Sequence, residues 1–240
     1  MKKFWSYIKN DEYAVGCTGQ TVWLFDSEGN VLSKFKDLPY AYLPVISPNG
    51  NILAVKTMEG RMAVYSLSER KLIKKFRYSK VDGAQDDNFC FSPDSRLIYN
   101  IERYPDSLTS RLSVYQTSDF SLAEHLLDDD KKTVLETIEY DNVSQKYFLL
   151  GFERDKDGIA YKFFVSYLDG KSLGKRKYIP EKVCDFYREY IHLKNFGFTK
   201  EAYRWSYFGD KEFPTGGKQK TLEELKEESY SLSELYQSCL

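Results

Sequence analysis

The sequence predicts an all-β fold of four to five units, each of four short antiparallel strands, followed by a C-terminal helix. Three observations carry that expectation. First, the 240 residues include 20 Tyr and 16 Phe, and aromatic side chains favour strands. Second, the turn sequence Ser-Pro-Asn/Asp occurs at Ser47 to Asn49 and at Ser92 to Asp94, each time ahead of a strand-like run. Third, an aromatic residue precedes a leucine by seven positions in three places: Phe25 and Leu32, Tyr65 and Leu72, Tyr115 and Leu122.

The elements follow in order. Lys3 to Ile8, a turn at Lys9 to Glu12 and Tyr13 to Gly16 form a first hairpin. Thr21 to Phe25, the turn Asp26 to Asn30 and Val31 to Phe35 form a second. Leu43 to Ile46 runs into Ser47-Pro48-Asn49, where proline presets φ and the Asn side chain caps the turn, and returns through Ile52 to Val55. Arg61 to Tyr65 then pairs with Leu72 to Phe76. Phe89 to Phe91, Ser92-Pro93-Asp94 and Leu97 to Asn100 repeat the pattern, followed by Arg111 to Tyr115 and Leu122 to Leu126. A looser copy comprises Thr133 to Tyr140, Tyr147 to Phe152, Tyr161 to Tyr167, the turn Asp169-Gly170-Lys171, and Leu173. Asp-Gly between two such runs is a strong hairpin signal. A further hairpin is expected at His192 to Phe198 and Ala202 to Phe208.

Each unit is a pair of hairpins. Phe25 and Tyr65 lie 40 residues apart, and Tyr65 and Tyr115 lie 50 apart. Four antiparallel strands at that period are the signature of a β-propeller blade. The expected organisation is a propeller over residues 1–210, with blades at about 1–38, 39–80, 86–127 and 133–180 and a partial fifth at 183–210; a linker and helix fill 211–240.

Two readings of the C-terminus compete. Thr221 and Glu224 fit a capping box, and Leu222, Leu225, Leu232, Tyr236 and Cys239 recur at helical spacing. Yet Tyr230-Ser231-Leu232-Ser233-Glu234 repeats Tyr65-Ser66-Leu67-Ser68-Glu69 residue for residue, which would make it a blade strand. The helix is preferred, because Glu223-Glu224-Leu225-Lys226-Glu227-Glu228 is poor strand sequence.

Through its Ser-Pro-Asn/Asp turns and aromatic-ended strands, the chain resembles the WD-repeat-like propeller superfamily over about residues 1–180, and more faintly over 181–210. The resemblance implies a propeller. No copy ends in Trp-Asp and no Gly-His pair precedes a blade; Phe25-Asp26 comes nearest. The Asp–His–Ser/Thr bond set of true WD repeats is therefore not expected.

Composition restricts function. With 35 Lys+Arg against 36 Asp+Glu the net charge is -1, which argues against a nucleic-acid binder. No apolar run reaches the ~18 residues of a membrane span, and the N-terminus lacks a secretory signal, so a cytoplasmic protein is expected. Cys17, Cys90, Cys184 and Cys239 form no CxxC pair and are expected as free thiols. No HExxH, Gly-x-Ser-x-Gly or phosphate-binding glycine loop occurs. Asp128-Asp129-Asp130 lacks calcium-loop spacing and reads as a solvated connection. His125 reads as an ordinary strand residue.

No catalytic set, cofactor or metal is expected. The contact candidates for a partner or ligand are Tyr40 and Tyr42 in the approach to the second blade, Asp86 and Asp87 in a loop before the third, and His192 on the strand facing the channel in the fifth. The favoured function is a non-catalytic scaffold presenting loops to a protein partner. The alternative is an enzyme or small-ligand binder using the channel mouth.

Overall fold

A computed structural model describes residues 4, 6–57, 59–79, 88–104, 109–128, 132–154, 160–179 and 231–238. It contains four antiparallel sheets, each a strand meander in chain order. The first comprises β1 (Ser6–Lys9), β2 (Tyr13–Cys17), β3 (Val22–Asp26) and β4 (Val31–Phe35). The second comprises β5 (Ala41–Ile46), β6 (Ile52–Thr57), β7 (Arg61–Ser66) and β8 (Lys71–Arg77). The third comprises β9 (Phe89–Phe91), β10 (Leu97–Arg103), β11 (Ser110–Gln116) and β12 (Leu122–Leu126). The fourth comprises β13 (Thr133–Asp141), β14 (Lys146–Arg154) and β15 (Ala160–Asp169), with β16 (Ser172–Leu173) and β17 (Lys177–Ile179) both pairing with β15. A helix, α1 (Leu232–Ser238), follows. These sheets are the blades of a small β-propeller fold. The expected fifth blade lies outside the described residues.

The two Ser-Pro turns are built alike. Ser47 Oγ donates to Asn49 Oδ1 at 2.8 Å and accepts the Ile52 N–H at 3.0 Å. Ser92 Oγ donates to Asp94 Oδ1 at 2.6 Å and accepts the Leu97 N–H at 2.9 Å. The second residue after proline is left-handed in both, Gly50 at φ 72° and Ser95 at φ 61°. The Ser92 bonds hold the exposed Asp94 carboxyl below the usual range, with the Arg96 N–H adding to the effect.

The aromatic–leucine spacing marks a β-bulge. Tyr65 pairs with Leu72 and Tyr115 with Leu122, while Val64 pairs with Lys74 and Val114 with Glu124, so Ile73 and Ala123 are the extra residues. In the first blade Phe25 pairs with Val31 and Leu24 with Ser33. There the turn is one residue shorter, and Leu32 is the bulged residue rather than the partner of Phe25. The fourth strand of the last blade is interrupted at Gly174 to Arg176, where Ser166 Oγ donates to the Gly174 carbonyl at 3.0 Å.

The chain forms two compact units, one holding the first two blades and the other holding blades three and four with α1. In the first unit, Val15, Leu24, Phe35, Leu53, Val55 and Tyr65 share one apolar core, with Phe35 stacked on Tyr65 at 4.2 Å between centroids. In the second, Ile101, Leu112, Leu135, Leu149 and Phe164 do the same, and Tyr99 meets Tyr147 at 4.3 Å.

The helix α1 docks on the fourth blade. Leu232 and Leu235 are buried, Tyr236 packs edge-on against Tyr167 at 5.6 Å, and the Leu232 N–H donates to Glu139 Oε2 at 3.2 Å. Ser231 and Glu234 form its capping box: the Glu234 N–H donates to Ser231 Oγ at 3.2 Å and the Ser231 N–H to Glu234 Oε2 at 2.7 Å. The Thr221–Glu224 box expected from sequence lies outside the described residues.

The repeated pentapeptide has a local cause. At Ser66 the Glu69 N–H donates to the serine Oγ at 3.1 Å, as Glu234 does to Ser231. Leu67 and Leu232 are both buried. The same serine-capped turn leads into β8 in one place and a helix in the other, so the repeat encodes a cap and not a strand.

Candidate functional site

Leu38, Pro39, Tyr40 and Ala41 connect the first blade to the second. Leu38 and Ala41 are both buried in the shared core, and the Ala41 N–H donates to the Gly19 carbonyl at 3.0 Å. Both ends of the connection are thereby pinned, and the intervening Pro39-Tyr40 forms a turn. Proline presets the first corner. Tyr40 takes the next one at φ 56°, where a type II turn places Gly or Asn. For a tyrosine this left-handed conformation costs ~1–2 kcal/mol. Its side chain is 55% exposed. Among the described residues, Tyr40 alone is both a large exposed hydrophobic and a non-glycine residue at positive φ.

Tyr42, two positions on, is 6% exposed and lies within β5, so it serves packing and Tyr40 alone of the pair meets solvent. Asp86, Asp87 and His192 lie outside the described residues. Of the Asp128–Asp130 run, Asp128 is described, and its carboxylate accepts the Tyr104 hydroxyl. His125 Nδ1 lies 2.9 Å from Ser113 Oγ across β11 and β12. No cluster of three or more metal-ligating side chains occurs among the described residues.

Two carboxylate networks, one around the buried Glu102 and one around the partly buried Glu153, were not singled out from the sequence. Glu102, 1% exposed, accepts from the Tyr115 hydroxyl at 2.6 Å, Asn100 Nδ2 at 3.1 Å and Arg111 Nη2 at 3.3 Å. Burial, and then the Glu102 charge, push the Tyr115 phenol up. Glu153 accepts from Arg176 Nη1 at 2.5 Å and Tyr178 Oη at 2.8 Å, and Arg176 Nη2 donates to Thr133 Oγ1 at 2.9 Å. Each carboxylate is surrounded by donors and ties strands together. The legible signal for the first was the equal distance of Glu102 and Arg111 from their hairpin turn, which pairs them directly.

Burial shapes the two described thiols, Cys17 and Cys90. Burial pushes Cys17 up to about 12, against a smaller opposing effect of the Ser6 hydrogen bond. Cys90 is raised by burial and then by the Glu139 charge. Both are free cysteines. Cys184 and Cys239 lie outside the described residues.

No protein-family model matches the sequence. No curated protein matches it. Among solved structures, the chain is similar to Kuenenia stuttgartiensis hydrazine synthase, with a TM-score of 0.57, 14% identity, and coverage of 71% of this chain and 47% of that one. It is also similar to the dihydro-heme d1 dehydrogenase NirN in complex with DHE, with a TM-score of 0.52, 16% identity, and coverage of 70% and 35%. The chain thus spans less than half the length of either. Both are β-propeller proteins, and the likeness establishes the propeller fold and nothing of activity.

Proposed function

We propose that the chain is a non-catalytic binding module, a divergent WD-repeat-like propeller that presents loop residues to a protein partner in the cytoplasm. The carrying observation is Tyr40: a strained, exposed aromatic on a turn pinned at both ends by buried residues. Strain of this kind persists where surrounding structure imposes it, and it concentrates at binding sites. A rigid exposed tyrosine also gives contact area at small entropic cost. The WD-like part of the reading rests on the two Ser-Pro-Asn/Asp turns. In this reading residues 1–210 form the propeller, with 183–210 its partial fifth blade, and Asp86, Asp87 and His192 add to the contact surface. Two free cysteines suit a reducing compartment.

The test uses Tyr40→Gly. Removing the strain should raise the melting temperature, consistent with ~1 kcal/mol of stabilisation. The same variant should lose a partner captured from native lysate by the wild-type chain. Retention of every captured protein by a better-folded variant would remove Tyr40 from the site.

A further inference from the structure

We propose that the outer edge of the second blade, strand β8, which pairs with no further strand among the described residues, is a docking site for an acidic polypeptide segment that adds to the sheet as an extended strand. The argument for β8 does not rest on the reading given to the Tyr40 turn.

β8 has the sequence Lys-Leu-Ile-Lys-Lys-Phe-Arg, with four cations in seven residues. It is the last strand of its sheet. Its residues are exposed at every position but Leu72 and Phe76, and Ile73 is a large exposed hydrophobic. Lys71 pairs with Glu69 at 2.9 Å, and Lys75 Nζ donates to the Asp37 carbonyl at 3.3 Å. Lys74 and Arg77 make no ion pair or hydrogen bond through their side chains among the described residues.

Edge lysines commonly guard a sheet against aggregation. That explanation predicts similar charge on the other fourth strands, and β4 and β12 lack it. β4, Val-Leu-Ser-Lys-Phe, carries one lysine, whose Nζ lies 4.4 Å from the Trp23 ring centroid. β12, Leu-Ala-Glu-His-Leu, carries a glutamate and no lysine. A bulge recurs in all three blades and already blunts each edge. The fourth strand of the last blade is also basic, with Lys175, Arg176 and Lys177. There, however, Arg176 is held by Glu153 at 2.5 Å and Lys177 Nζ lies 4.5 Å from the Tyr236 ring centroid, whereas Lys74 and Arg77 have no such partner among the described residues.

Their arrangement selects the partner. By register, Lys71 and Lys74 oppose Ser66 and Val64 on one face of the sheet. Lys75 and Arg77 oppose Ala63 and Arg61 on the other. A flat anionic surface such as a membrane meets one face only. A strand laid along the edge meets both, because its side chains also alternate. Beyond the bulge at Ile73, residues Lys74 to Arg77 run regularly and offer backbone groups for pairing, with acidic side chains of the guest meeting cations on either side.

The experiment is fluorescence anisotropy on the full chain with three fluorescein-labelled probes. They are a Glu–Val peptide of about ten residues repeating Glu-Glu-Val-Val, which places Glu on both faces of an extended strand, its Glu–Pro analogue with Pro in place of each Val, and a single-stranded thymidine oligonucleotide. Vesicles containing phosphatidylserine are assayed by co-sedimentation. The Glu–Val peptide should bind at least about tenfold more tightly than the Glu–Pro peptide, which has equal charge but lacks half the backbone donors. Lys74→Glu/Arg77→Glu should weaken it at least about tenfold. A control pair with the same charge change at exposed positions elsewhere, Lys9→Glu/Lys175→Glu, should leave it within about twofold. Both variant pairs are compared at matched melting temperature. Three outcomes overturn the proposal: no binding by the Glu–Val peptide, equal binding by the Glu–Pro peptide, oligonucleotide or vesicles, or equal weakening by the control pair.

Discussion

Gly151 sits in the central strand β14, opposite Leu135 on β13 and Phe164 on β15. A Cβ built there would lie 2.5 Å from the Val134 carbonyl oxygen, 3.2 Å from Phe164 Cζ and 3.3 Å from Leu135 Cδ2. The nearest atom is backbone in a paired neighbour strand, so Gly151→Ala requires the sheet to open by roughly 0.5–1 Å toward an ordinary contact. Overpacking of this kind costs ~1–3 kcal/mol. The entropy removed from the unfolded chain returns ~0.4–1 kcal/mol. The net expectation is destabilisation by ~1 kcal/mol, or a fall in melting temperature of ~2–4 °C for a chain of this size. Gly16 provides the contrast. Its Cβ would also meet an atom at 2.5 Å, but that atom belongs to the Phe4 ring. A side chain at the start of the first blade can turn aside, and the same entropy gain then brings Gly16→Ala to within ~1 kcal/mol of wild type. Thermal and urea unfolding of both variants, alone and with Phe164→Leu, measure the difference. Equal melting of the two alanine variants would show that the Val134 carbonyl does not limit the space at Gly151. So would rescue of Gly151→Ala by Phe164→Leu, because trimming a ring cannot move a carbonyl.

Removing residues 230–240 should lower the melting temperature and increase binding of a hydrophobic dye, because Phe148 and Tyr167 lose Tyr236 and two buried leucines are lost. The leucines represent ~3–6 kcal/mol before entropy is subtracted; an equally stable, monomeric truncation would show that α1 is a detachable tail. Cys17 and Cys90 should resist a thiol reagent in the native state at mildly alkaline pH and react once urea is added, read by peptide mapping; rapid native labelling of Cys17 would contradict its burial. Acid should destabilise the fold through Asp26, Asp94 and Asp141. All three are held below the usual carboxylate range, chiefly by the side chains of Asn30, Ser92 and Ser144 respectively. A depressed folded pKa means that stability is present above the unfolded value and lost as pH falls through the folded one. Melting temperature should therefore drop from about pH 5 downward, and Asp94→Asn should flatten that limb relative to wild type.

The hairpins were legible in the residues alone, because their causes are local. Ser47 and Ser92 each close their turn with side-chain bonds spanning two and five residues, and such bonds need only the neighbouring sequence. The aromatic–leucine spacing likewise reports the turn and bulge of a single hairpin, and it drifted only where the first turn is shorter. Tertiary structure decided what each side chain faces. Tyr40 and Tyr42 look equivalent in sequence, yet one stands in solvent and the other is buried, because the pinning of Leu38 and Ala41 in the core sets the turn between them. Tyr65-Ser66-Leu67-Ser68-Glu69 and its copy at Tyr230 make the same serine cap, but only the surface available to each decides whether strand or helix follows. The run Lys71 to Arg77 was plainly basic, although the contribution of both its faces to one outer edge became visible only from the register of β7 and β8. Local hydrogen bonds are written in neighbouring residues. Burial and exposure depend on partners tens of residues away, and a single sequence does not name them.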